Sequence, residues 1–108
     1  MKDDQLYLVH VLECIERIER YVAPGRDAFF SETIIQDAVL RNLHTLSEST
    51  QRLSDNMKDR HSEVDWFSIA GFRNVIVHDY LGVDLKTTWD IIERDLPELK
   101  IAVAAMLE

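Results

Sequence analysis

Between Asp4 and Val22, apolar residues fall at Leu8, Val11, Leu12, Ile15, Ile18 and Val22, three and four positions apart, and Glu13, Glu16, Arg17, Glu19 and Arg20 occupy much of the other side. Residues at that spacing share one face of a helix, so the pattern predicts an amphipathic first helix. Ala23-Pro24-Gly25 ends it. Ser31 is placed to cap a long second helix whose buried line is Ile35, Val39, Leu43, Leu46, Leu53 and Met57, with Thr50 as a weaker member. No Gly or Pro occurs from Ser31 to Arg60. The expectation is one continuous element that frays into a polar loop near Lys58 to Ser62.

Asp65 is a candidate N-cap for a third helix from Trp66 to about Tyr80, with Gly82 just past its end. Gly71 inside it costs about 1 kcal/mol of helix propensity relative to Ala, which suggests close packing against a neighbour. Asp84 caps a fourth helix presenting Leu85, Trp89 and Ile92 on one face, and Leu96, Leu99, Val103 and Met106 continue at helical spacing. Pro97 either kinks that helix or opens a fifth at its first turn. The resulting expectation is an all-α protein, an antiparallel bundle of four to five helices.

Composition supports this picture and narrows it. Three Gly and two Pro in 108 residues argue against a turn-rich β-sandwich or barrel, and the length fits a single domain over residues 1–108. No apolar run approaches the ~20 residues needed to span a bilayer, and the opening Met1-Lys2-Asp3-Asp4-Gln5 does not read as a signal peptide. With one cysteine, Cys14, no internal disulfide can form, so a reducing cytoplasm is expected. Twelve Lys and Arg against 20 Asp and Glu leave a net charge of −8. Neither half of the chain, split at residue 60, is a basic arm, so general adhesion to a phosphate backbone is not expected, and a nucleic-acid partner would have to be held at a small local site.

Most candidate chemistry is weak. His10 and Cys14 stand four apart, which could bring them together on a metal, but there is no second pair, and such a pair is far more often a core and a surface residue. His44 and His61 have no partner at ligand spacing. Phosphate loops, Cys-x-x-Cys, Gly-x-Ser-x-Gly and His-Glu-x-x-His are all missing; no metal or cofactor is expected. One segment departs from this background, Gly71-Phe72-Arg73-Asn74-Val75-Ile76-Val77-His78-Asp79-Tyr80. As a bare pattern it is a helix burying Val75, Ile76 and Val77 with Arg, His and Tyr at its rim. Chemically, Arg supplies a permanent planar cation for a phosphate, His exchanges a proton near neutral pH, and Tyr can orient either. These groups suffice for metal-free cleavage of RNA, in which the adjacent ribose 2′-OH attacks, His transfers the proton and Arg stabilises the charged transition state.

Arg-x-x-x-x-His-x-Tyr, spelled here by Arg73, His78 and Tyr80 with Asn74 after the Arg, resembles the signature of the HEPN superfamily, and most closely that of its HepT-type toxins. The similarity extends to Gln36-Asp37-Ala38-Val39-Leu40-Arg41-Asn42-Leu43, to Asp65-Trp66, and to Gly82-Val83-Asp84, Trp89 and Asp95-Leu96-Pro97, from about Ser31 to the C-terminus. One departure is visible: where such proteins often carry Gly-Glu-Ala, this chain has Ser47-Glu48-Ser49, with the Glu kept. The resemblance implies a small HEPN-like helical protein that forms a homodimer and acts as a metal-independent endoribonuclease, the toxin of a type VII-like toxin–antitoxin system. Its partner would be a MntA-type nucleotidyltransferase antitoxin that transfers AMP to the motif tyrosine. Carried onto this chain, Arg73 and His78 are catalytic, Tyr80 is the AMPylation site and an active-site contributor, and Asn74 is a supporting residue.

Helix geometry adds a constraint. At about 100° per residue, Arg73 and His78 lie about 140° apart on a straight helix, His78 above Asn74 and Tyr80 on the Arg73 side. One straight helix cannot aim all three groups at one atom. Either the helix distorts, or Arg73 reaches round, or two chains meet so that both motifs line a shared cleft, as a two-fold dimer allows. The acidity of the chain favours a selective RNA over promiscuous binding, and suits docking to a partner with a basic surface. Asp79 either raises the His78 pKa or faces solvent. The alternative to a nuclease is a non-catalytic HEPN-like module that binds a nucleotide or a nucleotidyltransferase. A purely structural bundle would need none of the four motif identities.

Overall fold

In the computed structural model, which describes residues 2–72 and 84–108, the first amphipathic stretch forms helix α1 (Lys2–Tyr21). Leu8, Val11, Ile15 and Ile18 point into the core as their spacing requires, and Leu12 and Val22 pack at its edge. Gly25, at φ 111°, makes the turn after α1, in a backbone region that a side chain rarely tolerates. Helix α2 (Arg26–Ser31) follows, then α3 (Thr33–Gln51), α4 (Asp55–Arg60) and α5 (Trp66–Ala70). Beyond residue 83 come α6 (Leu85–Asp90), a five-residue π-helical segment (Ile91–Asp95) and α7 (Leu96–Leu107). No strand occurs among the described residues, and the all-α expectation holds. The main seam is α1 against α3; α7 also packs on α1, and α5 lies against α3.

Two boundaries differ from the sequence reading. Ser31 does not cap the long helix: it ends α2, and its hydroxyl donates to the Ala28 carbonyl. The break falls at Glu32, whose backbone is extended, because the Gln36 side-chain amide donates to the Phe29 and Phe30 carbonyls and satisfies the end of α2. Helix α2 itself is held by its aromatics. Buried Phe29 meets Phe30 edge-on and Trp89 at 5.3 Å between ring centres, and the Arg26 guanidinium sits 4.7 Å over the Phe30 ring.

The second difference is that the 31–60 stretch is not continuous. Although no Gly or Pro interrupts it, α3 tightens and stops at Gln51, with Arg52 N–H donating to Ser49 O and Leu53 N–H to Thr50 O. Ser54 then starts α4, its hydroxyl accepting from Met57 N–H at 3.1 Å. The same hydroxyl donates to Asp4 Oδ2 at 2.7 Å, and Ser54 N–H donates to Asp4 Oδ1 at 2.8 Å. A buried carboxylate on α1 thus fixes the point where α3 gives way to α4. Leu53 and Met57 are still buried, as the apolar line predicts.

Pro97 opens α7 within its first turn instead of kinking it. Proline has no N–H to continue the ladder, and the π segment takes up the mismatch: Leu96 N–H reaches back to Ile91 O. Leu96, Leu99 and Val103 are buried. Among the described residues, the close packing expected at Gly71 is with its own preceding turn. A Cβ there would meet the Ser68 carbonyl oxygen of its own preceding turn at 3.2 Å. Among the described residues, no helix is long and apolar enough to cross a membrane.

The Asp4–Ser54 clasp has a pH signature. Hydrogen bonds from the Ser54 hydroxyl, then from its N–H, hold the Asp4 carboxyl below its ordinary value of 3.8. A depressed folded-state pKa adds stability that is present above the unfolded pKa and disappears as pH falls through the folded value. Asp4→Asn is therefore expected to lower stability by about 1–3 kcal/mol at neutral pH. The deficit should shrink below pH ~4, read from denaturation midpoints across pH. A deficit of equal size in strong acid would contradict this role.

Candidate functional site

The Arg73–Tyr80 segment is entered and left through well-built joints. At the entry, Asp65 caps α5, accepting from Ser68 N–H at 3.0 Å and from the Ser68 hydroxyl at 2.7 Å, and these bonds lower its pKa. Next to it, Trp66 Nε1 donates to the His61 carbonyl at 3.1 Å and to that of Lys58 at 3.3 Å, which anchors the helix start. Ile69 and Phe72, three apart, are driven into the core, whereas Phe67 faces solvent. At the exit, Asp84 repeats the device, accepting from Thr87 N–H and hydroxyl, again with a lowered pKa. Trp89 is then buried against Phe29.

Arg73, Asn74, His78 and Tyr80, together with Asp79 and Gly82, lie outside the described residues, so their mutual geometry is not part of the described structure. Their flanks carry a clear electrostatic character. A cavity of about 360 Å³ opens beside α5, floored by Val64, Ile69, Phe72, Leu99 and Ala102 and rimmed by Glu63, Asp65, Asp95 and Glu98. Burial pushes the Asp95 carboxyl up, with Glu98, Asp65 and Asp90 adding to the effect and Arg94 opposing it. This rim repels a phosphate. RNA approaching Phe72 from that side gains nothing from it.

The metal pairing considered for His10 and Cys14 does not form. Cys14 is fully buried in the core, where burial raises its thiol pKa, while the His10 ring turns to Ser49, Nδ1 to Oγ 3.1 Å. No group of three or more His, Cys, Asp or Glu suited to a metal occurs among the described residues. His44 does have a neighbour: its Nε2 lies 3.0 Å from Glu48 Oε1, one turn along α3. Ser47 and Ser49, on either side of Glu48, are both buried; Ser47 donates to the His44 carbonyl and Ser49 meets His10. A small hydroxyl residue is therefore accommodated at each of the two positions where the chain departs from Gly-Glu-Ala, because each finds a hydrogen-bond partner. Tyr7 and His10 of α1 face His44, Thr45, Glu48 and Ser49 of α3, with Arg52 just past its end, across a cleft of about 300 Å³. The sequence reading missed this cleft. Each polar residue fits the outer stripe of its own helix, and the alignment of α1 on α3 is not written in either stripe.

An all-α bundle whose sequence carries Arg-Asn-x-x-x-His-x-Tyr shortly after α5 defines a narrow class of protein. The chain belongs to the HepT-like ribonuclease family: the family model described as "Ribonuclease HepT-like" matches residues 11–106, which includes the motif. It is 33% identical over 109 residues to "Putative RNase TTE0752" of Caldanaerobacter subterraneus subsp. tengcongensis, covering 100% of this chain and 97% of that protein. It is 32% identical over 95 residues to "Probable ribonuclease HepT" of Thermococcus cleftensis, covering 87% of this chain and 86% of that one. A third relative, "Gamma-glutamylcyclotransferase and putative RNase MJ0434" of Methanocaldococcus jannaschii, is 34% identical over 108 residues; the match takes in 99% of this chain but 49% of that protein, so the chain spans about half its length. No solved structure matches significantly.

Proposed function

We propose that this protein is the toxin of a HepT/MntA-type toxin–antitoxin pair, a metal-independent endoribonuclease that works in the cytoplasm as a homodimer. The observation that carries this reading is the complete Arg73-Asn74-x-x-x-His78-x-Tyr80 within the span that the ribonuclease family matches. In the reaction, His78 removes the proton of a ribose 2′-OH, whose oxygen attacks the adjacent phosphorus. A new P–O2′ bond forms, the P–O5′ bond breaks, and the 5′ oxygen leaves with the proton that the imidazole took up from the 2′-OH. The products are a 2′,3′-cyclic phosphate and a 5′-hydroxyl. Arg73 stabilises the negative charge that builds on the phosphoryl oxygens, and Asn74 supports it. The separation of about 140° between Arg73 and His78 on a straight helix is what makes a shared cleft between two copies the favoured arrangement.

Neutralisation follows from the same chemistry. The partner nucleotidyltransferase transfers AMP from ATP to Tyr80: the phenolic oxygen attacks the α-phosphorus, pyrophosphate leaves and the phenol loses its proton. A bulky group bearing a phosphodiester charge then occupies the place of the substrate phosphate, and steric exclusion adds to like-charge repulsion.

Purified protein is expected to cleave RNA in the presence of EDTA, and His78→Ala to reduce the rate by about two to four orders of magnitude. Cleavage that stops on chelation would overturn the metal-free mechanism. Failure to cleave any RNA would favour the non-catalytic binding module. With the nucleotidyltransferase and ATP, the wild-type chain should gain the mass of AMP and Tyr80→Phe should not; an unchanged mass gain in the Phe variant would place the acceptor elsewhere.

A further inference from the structure

Two clefts on the described surface are strongly negative. One is the cavity beside α5 with its four carboxylates, and the other, over α4 and the loop after it, sets Lys58 against Asp55, Asp59, Glu63 and Asp65. The α1–α3 cleft is different. Its lining has a single carboxylate, Glu48, which is engaged with His44, and Arg52 balances it. Arg52 is exposed and makes no ion pair with another described residue. In a chain with net charge −8, a recess holding a free guanidinium and two imidazoles is where a phosphate meets little repulsion.

The other lining groups suit the rest of a nucleotide. Tyr7 and His10 are half-buried planar rings, the kind of face on which an unstacked base lies. The bond from His10 Nδ1 to Ser49 Oγ fixes that ring and leaves its Nε2 without a described partner. The Thr45 hydroxyl spends its proton on the Arg41 carbonyl, so its oxygen still accepts, as a sugar hydroxyl would require. A divalent cation is the poorer occupant, since no three metal-ligating groups converge among the described residues. We propose that the α1–α3 cleft binds one phosphate-bearing nucleotide unit, with Arg52 on the phosphate and Tyr7 and His10 against the base. Two sources offer that chemistry, a link of an RNA chain and a free mononucleotide. The RNA source rests on the ribonuclease reading.

Binding is measured on the full-length chain carrying His78→Ala, so that RNA stays intact, using a short fluorescein-labelled single-stranded RNA by anisotropy and AMP by calorimetry. Adding Arg52→Gln is expected to weaken binding roughly tenfold, the loss of one charge-assisted hydrogen-bond pair, with Arg52→Lys recovering part of it. Arg20→Gln, which removes an equal charge from the far end of α1, should cost about twofold or less. Arg52-dependent binding of AMP identifies a mononucleotide site; dependence with RNA alone identifies a link of the RNA chain; both support the proposal. Arg52→Gln indistinguishable from Arg20→Gln with both probes, or no binding of either probe, overturns it. Wild-type protein that cleaves RNA while Arg52 is irrelevant to binding removes this site alone. Protein that binds RNA through Arg52 but never cleaves it removes the nuclease reading and leaves the site standing.

Discussion

The long seam between α1 and α3 governs where everything else in the bundle sits. Two helices of 20 and 19 residues lie against each other, and their apolar faces supply Val11, Ile15, Ile18, Val39, Leu43 and Leu46 to the fully buried core. Burying each such side chain contributes about 1.5–3 kcal/mol, which makes this contact a dominant favourable term. Apolar packing alone does not fix how far one helix slides along the other. The hydrogen bonds of Asp4 to Ser54 and of His10 to Ser49 do, because each joins one position on α1 to one position at or beyond the C-terminal part of α3. A one-turn slip would break all of them and strand a buried carboxylate.

That alignment positions the polar cleft and the helix that precedes the motif. It brings the outer stripes of α1 and α3 together as the polar cleft, and it places Ser54 so that α4, the Trp66 anchor and α5 follow in order. On either side of the motif in sequence stand the Asp-capped starts of α5 and α6, and Phe72, the residue before Arg73, is buried in the core. The surroundings are hostile to a phosphate at long range and at the acidic cavity. An enzyme built this way cannot gather RNA by general attraction. Its specificity has to come from a few short-range cations and from shape.

Much of the architecture was legible because it depends on local rules. The three-and-four spacing of Leu8 to Ile18 and of Val39 to Leu46 marked helix faces that are buried, and Asp65, Asp84 and Pro97 stand at helix starts as their chemistry dictates. The errors have a common origin. Ser31 looked like a cap and Ser54 did not, because the choice between them is made by distant groups, Gln36 on the end of α2 and Asp4 from α1. Cys14 is not among these errors: with no second pair at ligand spacing it read as a core or surface residue rather than a ligand, and it is core. For the candidate site, the identities of Arg73, Asn74, His78 and Tyr80 were readable as a motif. The α1–α3 cleft was not, because nothing in one helix announces the stripe it will face.

In the proposed dimer, guanidinium and imidazole groups from two copies serve one scissile phosphate. Complementation tests it most directly: differently tagged Arg73→Ala and His78→Ala chains are co-expressed, the mixed dimer is isolated through both tags, and RNA cleavage is measured beside each inactive homodimer. The mixed dimer is expected to cleave RNA, since it keeps one Arg73 and one His78 in the shared cleft. A mixed dimer as inactive as its parents would show that both groups must come from the same chain, and would contradict the account.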